Sequence, residues 1–479
     1  MAVGLKLLIF FLILGCPCFE ALNKKQVQEM KNIQQELLQN LRKYAIKLED
    51  KINLIEESIA EYTEEIKEAN QDPELYISNP LNSFRLIRQM HQDWVSWQVY
   101  MEKPVAPEAV ENLERLLSQL PPKKVYKRVA KDVHDLAQFY DYKPSDLVAK
   151  NERKSYLHLS PLDCYSLGLE RYEEKDYLGA VKWLSVAADN YTMSEYSDLY
   201  AQLGAPHWQV YRDQARVLLK LNRPSFIEAY VQASNHSPFN VHLMDEVGLW
   251  ELTSLRDPMD PIPDPLPNST LLENQCRGHV VPKPNLFCDI NNSGSDFLKL
   301  APLGYEMLVK PFTVLYPNSV YESELQHVEK AYEQCPLSNQ LQLAKGVIGC
   351  SISHGYSPTM RRIKNRVLDM TGLSKTWHRS FVLEYDSLKP LDIAQVFRNA
   401  TELAERKLLE ELNVVATAAI FLRDVPEGGA ITIPNYGVFV EPKRGNVLLT
   451  VEEMQLETIF CPNVMGSGLV MIQFVLEDQ

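Results

Sequence analysis

Residues able to do proton or metal chemistry are unevenly spread along this chain of 479 residues. All ten histidines lie at or before His378, so nothing from Arg379 to Gln479 can supply an imidazole. Asp386 and Asp392 offer carboxylates there, but a carboxylate without two imidazoles makes a weak, poorly selective metal site. His354 and His378 stand just upstream and read as loop or strand surface. Cysteine is the other resource. Beyond Cys16 and Cys18 near the N-terminus there are six, at Cys164, Cys276, Cys288, Cys335, Cys350 and Cys461. An even number favours pairing in an oxidising compartment, and Cys276 and Cys288, which close a short loop, are the expected bridge.

The N-terminus supports such a compartment. Lys6 is the only charge before the apolar run Leu7 to Leu14, which is too short to span a bilayer and reads as a signal peptide. Cleavage is expected after Cys18 or Ala21. Sequons at Asn190, Asn235, Asn268, Asn291 and Asn399 fit a glycoprotein of the endoplasmic reticulum lumen, or a secreted one. The chain ends Leu-Glu-Asp-Gln, with no retention tetrapeptide, so retention would depend on a partner. No later segment reaches about 18 consecutive apolar residues, so no membrane partner is expected. A net charge of −14 without a basic patch argues against nucleic acid. With 45% hydrophobic residues and only 19 glycines, the chain is neither disordered nor collagenous, and its length suits several domains.

Those residues must be positioned by two kinds of structure. Val27, Met30, Ile33, Leu37, Leu41, Tyr44, Leu48, Ile52, Ile55, Ile59, Tyr62 and Ile66 recur in steps of three or four, which predicts one long helix with an apolar seam. That seam must pack on later helices, on a second copy, or on both. Asp72-Pro73 ends it, and further helices follow, broken at Pro104, Pro107 and Pro121-Pro122. Helical hairpins from Ser160 to Asn190 and from His207 to Ser234 have the roughly 34-residue pitch of tetratricopeptide units. The segment 257–267 (DPMDPIPDPLP) cannot sustain a helix and reads as a linker. Beyond it come strand-like runs at Phe312–Leu315, Arg379–Tyr385, Ala416–Leu422, Gly429–Ile433, Gly437–Val440, Asn446–Val451 and Leu469–Leu476, a pattern of sandwiches and jelly rolls.

Several stretches together resemble the α subunit of animal prolyl 4-hydroxylase, over nearly the whole mature chain. They are Asp72-Pro-Glu with Asn79-Pro-Leu-Asn-Ser-Phe and Trp94, Asp163-Cys-Tyr-Ser-Leu-Gly with Tyr177 and Trp183, and Cys276-Arg-Gly with Leu286-Phe-Cys288 and Leu300-Ala-Pro302. Asp424-Val-Pro-Glu-Gly-Gly-Ala-Ile-Thr-Ile-Pro434 and Pro442-Lys-Arg-Gly445 complete the set. The resemblance implies an α-then-β chain with residues 1–21 as signal peptide and 22–150 as a helical, coiled-coil dimerisation domain. Residues 155–256 would be a tetratricopeptide-like peptide-binding domain and 257–300 a linker. Residues 301–479 would form a double-stranded β-helix, the jelly roll of Fe(II)- and 2-oxoglutarate-dependent dioxygenases.

In that family two histidines and a carboxylate hold the iron, a lysine holds the distal carboxylate of 2-oxoglutarate, and ascorbate assists. The matching positions here are Ala394, Val396, Thr458 and Gly468. The resemblance therefore implies a catalytically degenerate site, with no cofactor expected to bind. It also leaves Cys461 without the partner the family would give it. Tyr165, Tyr172, Tyr177, Tyr211 and Trp250 would supply the rings on which the family stacks a polyproline II ligand. Implied partners are protein disulfide isomerase, a Pro-rich or collagen-like peptide, and a second copy through residues 24–70. The function expected is a peptide- or partner-binding, regulatory subunit; the alternative is an active procollagen-proline 4-dioxygenase.

Overall fold

The computed structural model describes residues 24–148, 158–192, 194–246, 260–263, 269–279, 286–308, 312–344, 347–392, 396–397, 414–451 and 457–477. The expected signal peptide, Trp250, Ala394 and most of the Pro-rich linker lie outside them. The chain divides into two compact units, one ending at Lys123 and one running from Lys124 to Gln479.

In the first unit, Lys24–Gln71 is one continuous helix, uninterrupted because it holds no Gly or Pro. Asp72 closes it and caps the next helix, Pro73–Ser78, by accepting from the Leu75 N–H. Asn79 caps Pro80–Arg88 in the same way, and Trp94–Glu102 and Pro107–Leu117 follow. These helices return along the long one. Tyr62 stacks on Trp94 at 5.7 Å, the Lys51 ammonium donates to the Met101 and Lys103 carbonyls, and buried Asn40 donates to the Ala109 carbonyl. They cover only half of the predicted seam. Met30, Ile33, Leu37, Tyr44, Ile55 and Tyr62 are half-buried, whereas Leu41 (64% exposed), Ile59 (59%) and Ile66 (60%) face solvent.

The second unit opens along the helix Lys123–Phe139. Helix Lys123–Phe139 carries Ala130, His134 and Ala137 into the core of the following helices. There the Trp183 indole N–H donates to His134 Nδ1 at 2.9 Å, while His134 Nε2 faces Asp176 at 3.2 Å. Helices Pro161–Glu173, Tyr177–Asn190, His207–Lys220 and Phe226–His236 then pack in succession. Ser160 and Asp163 form a capping box ahead of the first, and Asp176 caps the second. The first two approach closely at Gly168, where a Cβ would lie 2.6 Å from Leu184 Cγ.

Downstream the chain becomes antiparallel sheet. In the larger sheet the neighbours run Leu286–Asn291, Leu303–Leu308, Thr313–Tyr316, Val447–Val451, Val414–Phe421, Gly468–Leu476, Arg379–Tyr385, Val347–Ser353 and Gln340–Ala344. A smaller sheet holds Val438–Val440, Ile431–Ile433, Ile459–Phe460 and Leu391–Asp392 in that order. Alternation along Gly468–Leu476 sorts its side chains to two cores. Leu469, Met471 and Val475 pack beneath helices Glu322–Glu333 and Pro358–Thr371. Val470, Ile472 and Phe474 pack with Phe381, Phe421, Ile431, Ile433 and Phe460, between the sheets. The seven expected strands lie within two residues of their predicted bounds. Leu286–Asn291, Leu303–Leu308, Gln340–Ala344 and Val347–Ser353 are additional, as are several two- and three-residue strands such as Leu391–Asp392 and Ile459–Phe460. Among the described residues no helix is long and apolar enough to cross a membrane.

The expected Cys276–Cys288 bridge is corrected. Cys276 is bonded to Cys461 and Cys335 to Cys350, while Cys164 is a buried free thiol and Cys288 an exposed one. Strand geometry is the reason. Leu286–Asn291 pairs along its whole length with Leu303–Leu308, which carries Cys288 to the edge of the larger sheet. Cys276 ends the short helix Leu271–Cys276, which is held against the smaller sheet by Gln275 bonding to the Pro434 carbonyl and the Thr432 hydroxyl. There it meets Cys461, so that residue does have a partner.

Candidate functional site

Two places hold the residues singled out by sequence. The first lies between the sheets. Gly468 opens its strand directly opposite Tyr385, the last residue of the neighbouring one. An antiparallel register puts directly opposed side chains on the same face, so whatever stands at 468 must share space with the Tyr385 ring. It cannot: a Cβ at Gly468 would lie 2.0 Å from Tyr385 Cζ. The ring is fixed there by two contacts: it stacks on Phe460 with centroids 4.3 Å apart, and its hydroxyl donates to the Gly429 carbonyl at 3.1 Å. The Tyr385 main-chain carbonyl accepts from the Asn463 side-chain amide. Burial raises the Tyr385 pKa, so the phenol stays protonated and works as a donor.

The surroundings are equally apolar. Phe381, Phe397 and Phe474 form an edge-to-face triangle with centroids 5.3 to 5.9 Å apart, and Val396 is buried in the same cluster. Thr458 is half-buried immediately ahead of Ile459–Phe460. Asp392 pairs beside Ile459, and Asp386 is exposed just past Tyr385. Three of the positions that the resemblance matches to the iron and 2-oxoglutarate ligands can be placed here. Val396 and Thr458 bring no imidazole or carboxylate, and the ring above Gly468 leaves no room for a cationic side chain. Ala394 lies outside the described residues.

His354 and His378 do not turn toward this space. His354 is buried rather than on the surface, which corrects the expectation, while His378 is exposed. His354 Nε2 meets the Ser380 hydroxyl at 2.8 Å, and the Gln473 amide donates to the same oxygen at 3.0 Å. Burial, with Lys364 and His378 nearby, pushes the His354 pKa down to about 4.

The second place is the helical domain. Tyr165 is buried and spent: its hydroxyl donates to Asp213 at 2.7 Å and accepts from Gln209. Tyr172 and Tyr177 are half-buried with centroids 5.7 Å apart, at the turn between the first two helices. Tyr211 is half-buried at the other end of helix Tyr177–Asn190, so these rings do not form one cluster. Around Tyr211 the structure assembles a group that sequence reading missed. Tyr191 stacks on His207 at 4.4 Å, His207 meets His236 at 4.2 Å and Tyr211 at 4.7 Å, and Tyr211 stacks on His236 at 5.8 Å. Burial, then His236, lowers the His207 pKa. The i, i+4 spacing of His207 and Tyr211 was the available signal.

Residues 24–153 match the sequence profile described as prolyl 4-hydroxylase alpha-subunit, N-terminal region. Over the longer chain, human prolyl 4-hydroxylase subunit alpha-1 is 24% identical across 459 residues, covering 88% of this chain and 86% of that protein. The Caenorhabditis elegans subunit alpha-2 is 22% identical across 442 residues, covering 84% and 81%. Among solved structures, a viral collagen prolyl hydroxylase from Paramecium Bursaria Chlorella virus-1 in its 2-oxoglutarate complex superposes with a TM-score of 0.26. It is 12% identical and covers 34% of this chain and 94% of that one.

These relatives correct the expectation that no cofactor binds. They are prolyl 4-hydroxylase subunits, and four altered positions in this chain are no evidence that a cofactor is lost. Those positions bear on how a cofactor would be held. The similarity begins at the first described helix and continues through most of the sequence, at coverage above four-fifths of each relative. Over residues 24–153 the chain matches the N-terminal region of prolyl 4-hydroxylase alpha subunits, and over most of its length it is similar to those subunits.

Proposed function

We propose that the chain is an alpha-subunit-like protein of the endoplasmic reticulum lumen that binds peptide and partner chains and does not turn over proline. The observation that carries this reading is the Tyr385 ring in the space beside Gly468, where the family's lysine would project. The lack of histidine from Arg379 onward supports it. On this reading the two facing sheets are a double-stranded β-helix. Within residues 155–256, the helices from Pro161–Glu173 to Phe226–His236 are a short tetratricopeptide-like module, and Tyr172, Tyr177 and Tyr211 offer half-buried rings to a Pro-rich or collagen-like segment. Leu41, Ile59 and Ile66 face a second copy in a coiled-coil arrangement of residues 24–70. The signal run and sequons support the lumenal, glycosylated state, and the family supports protein disulfide isomerase as the subunit that retains it.

The test is turnover. The chain co-expressed with protein disulfide isomerase is given Fe(II), 2-oxoglutarate, ascorbate and a proline-rich peptide. Peptide-coupled release of carbon dioxide and 4-hydroxyproline are measured beside peptide binding. We expect binding without hydroxyproline. Stoichiometric hydroxyproline would establish the other reading, an active procollagen-proline 4-dioxygenase.

A further inference from the structure

Leu286–Asn291 is an edge strand. It bonds on one side to Leu303–Leu308, and on the other it neighbours no strand among the described residues. Edges left open usually carry charge, proline or a bulge that blocks pairing with another chain. This one is apolar, with Leu286 and Ile290 each 59% exposed and Asp289 its only charge. The Ile290 N–H donates to the Asp289 carboxylate at 2.7 Å, so that main-chain group points away from the sheet. By alternation the outward main-chain groups belong to Leu286, Cys288 and Ile290, and those three side chains share one face.

That alternation is self-complementary about its midpoint. We propose that this edge pairs with the same edge of a second copy, antiparallel and centred on Cys288. In that register Leu286 stands opposite Ile290 of the second copy, twice over, and the two Cys288 residues stand opposite each other. Each Ile290 N–H exchanges the Asp289 carboxylate for a backbone carbonyl of the second copy. The occupant is a second copy because the strand reads apolar–X–Cys–X–apolar in both directions, which a two-fold axis through Cys288 uses completely. Directly opposed hydrogen-bonded residues lie about 5.5 Å apart at Cα, within the roughly 4.4–6.8 Å that a disulfide spans. The free thiol therefore reports the register.

The experiment uses the full chain and diamide. Diamide takes two electrons and two protons from a pair of opposed thiols, leaving a disulfide and the hydrazine. Unaltered protein should give a cross-linked dimer that Cys288→Ser abolishes. In the Cys288→Ser background, Leu286→Cys alone and Ile290→Cys alone should cross-link weakly, whereas the two proteins mixed should cross-link to each other. Ile290→Lys should lower the Cys288 cross-link about tenfold, the effect of roughly 1.4 kcal/mol, with unchanged circular dichroism. Self-association through residues 24–70 would raise the encounter rate but would not create this mixed-pair pattern. No Cys288 cross-link, a Leu286→Cys protein that links to itself as readily as Cys288 does, or indifference to Ile290→Lys would each overturn the proposal.

Discussion

At the level of single residues, Tyr385 and Gly468 are one unit. A Gly468→Ala change sets a methyl group 2.0 Å from a ring that is itself held by Phe460 and Gly429. Overpacking of this kind costs about 1–3 kcal/mol, so the melting temperature should fall. In a Tyr385→Ala background the same change should cost much less, and a thermal double-mutant cycle measures the difference. If the two costs simply add, the ring does not fill that space. His354 gives a second residue-scale expectation. Its folded pKa of about 4 lies below the ordinary value of 6.5, so below pH 6.5 the unfolded chain takes up more protons than the folded one. Stability is complete above pH 6.5 and declines as pH falls toward 4, by up to about 3 kcal/mol. His354→Gln should flatten that part of a pH-dependent melting curve. A slope unchanged by the substitution would assign it to other groups.

Elements were legible where local signals agreed and obscure where they were weak. Runs such as Leu469–Leu476 and Asn446–Val451 are dense in apolar and β-branched residues between turn residues, so their strands could be read directly. Leu286–Asn291 and Gln340–Ala344 are short and mixed, and they become strands because neighbours pair with them. Helix Pro358–Thr371 was missed although its signals were present: Ser357-Pro358 precedes Met360, Ile363, Val367 and Met370 at helical spacing. At the candidate site the residue types could be read, but the Tyr385 ring against Gly468 could not, because only register reveals what faces Gly468. Capping could be read without tertiary knowledge. Ser160→Ala removes one side of the box at helix Pro161–Glu173 and should cost about 1 kcal/mol in urea unfolding, with the m-value unchanged. The long helix belongs to this scale as well. Deleting residues 24–70 should abolish self-association through Leu41, Ile59 and Ile66 in sedimentation experiments, whereas full-length chains that sediment as monomers at micromolar concentration would refute that face.

For the molecule as a whole, the disulfide pairing was beyond sequence reading, since it depends on which strand ends arrive beside the helix that Cys276 closes. The Cys276–Cys461 bond ties that helix to the segment after Ile459–Phe460, across 185 residues of chain. Replacing Cys461 by Ser should lower stability by about 2–5 kcal/mol and leave the Cys335–Cys350 bond intact. Such a separation also sets a clock. A ribosome adding about 5–20 residues per second needs roughly 10–40 s to travel from Cys276 to Cys461. Throughout that interval Cys276 is a thiol without its final mate, while Cys288 emerges almost at once. The nascent chain therefore passes through a window in which the nearer cysteine competes, and the finished bond certifies that the strand Ile459–Phe460 has been made and has arrived beside the helix that Cys276 closes.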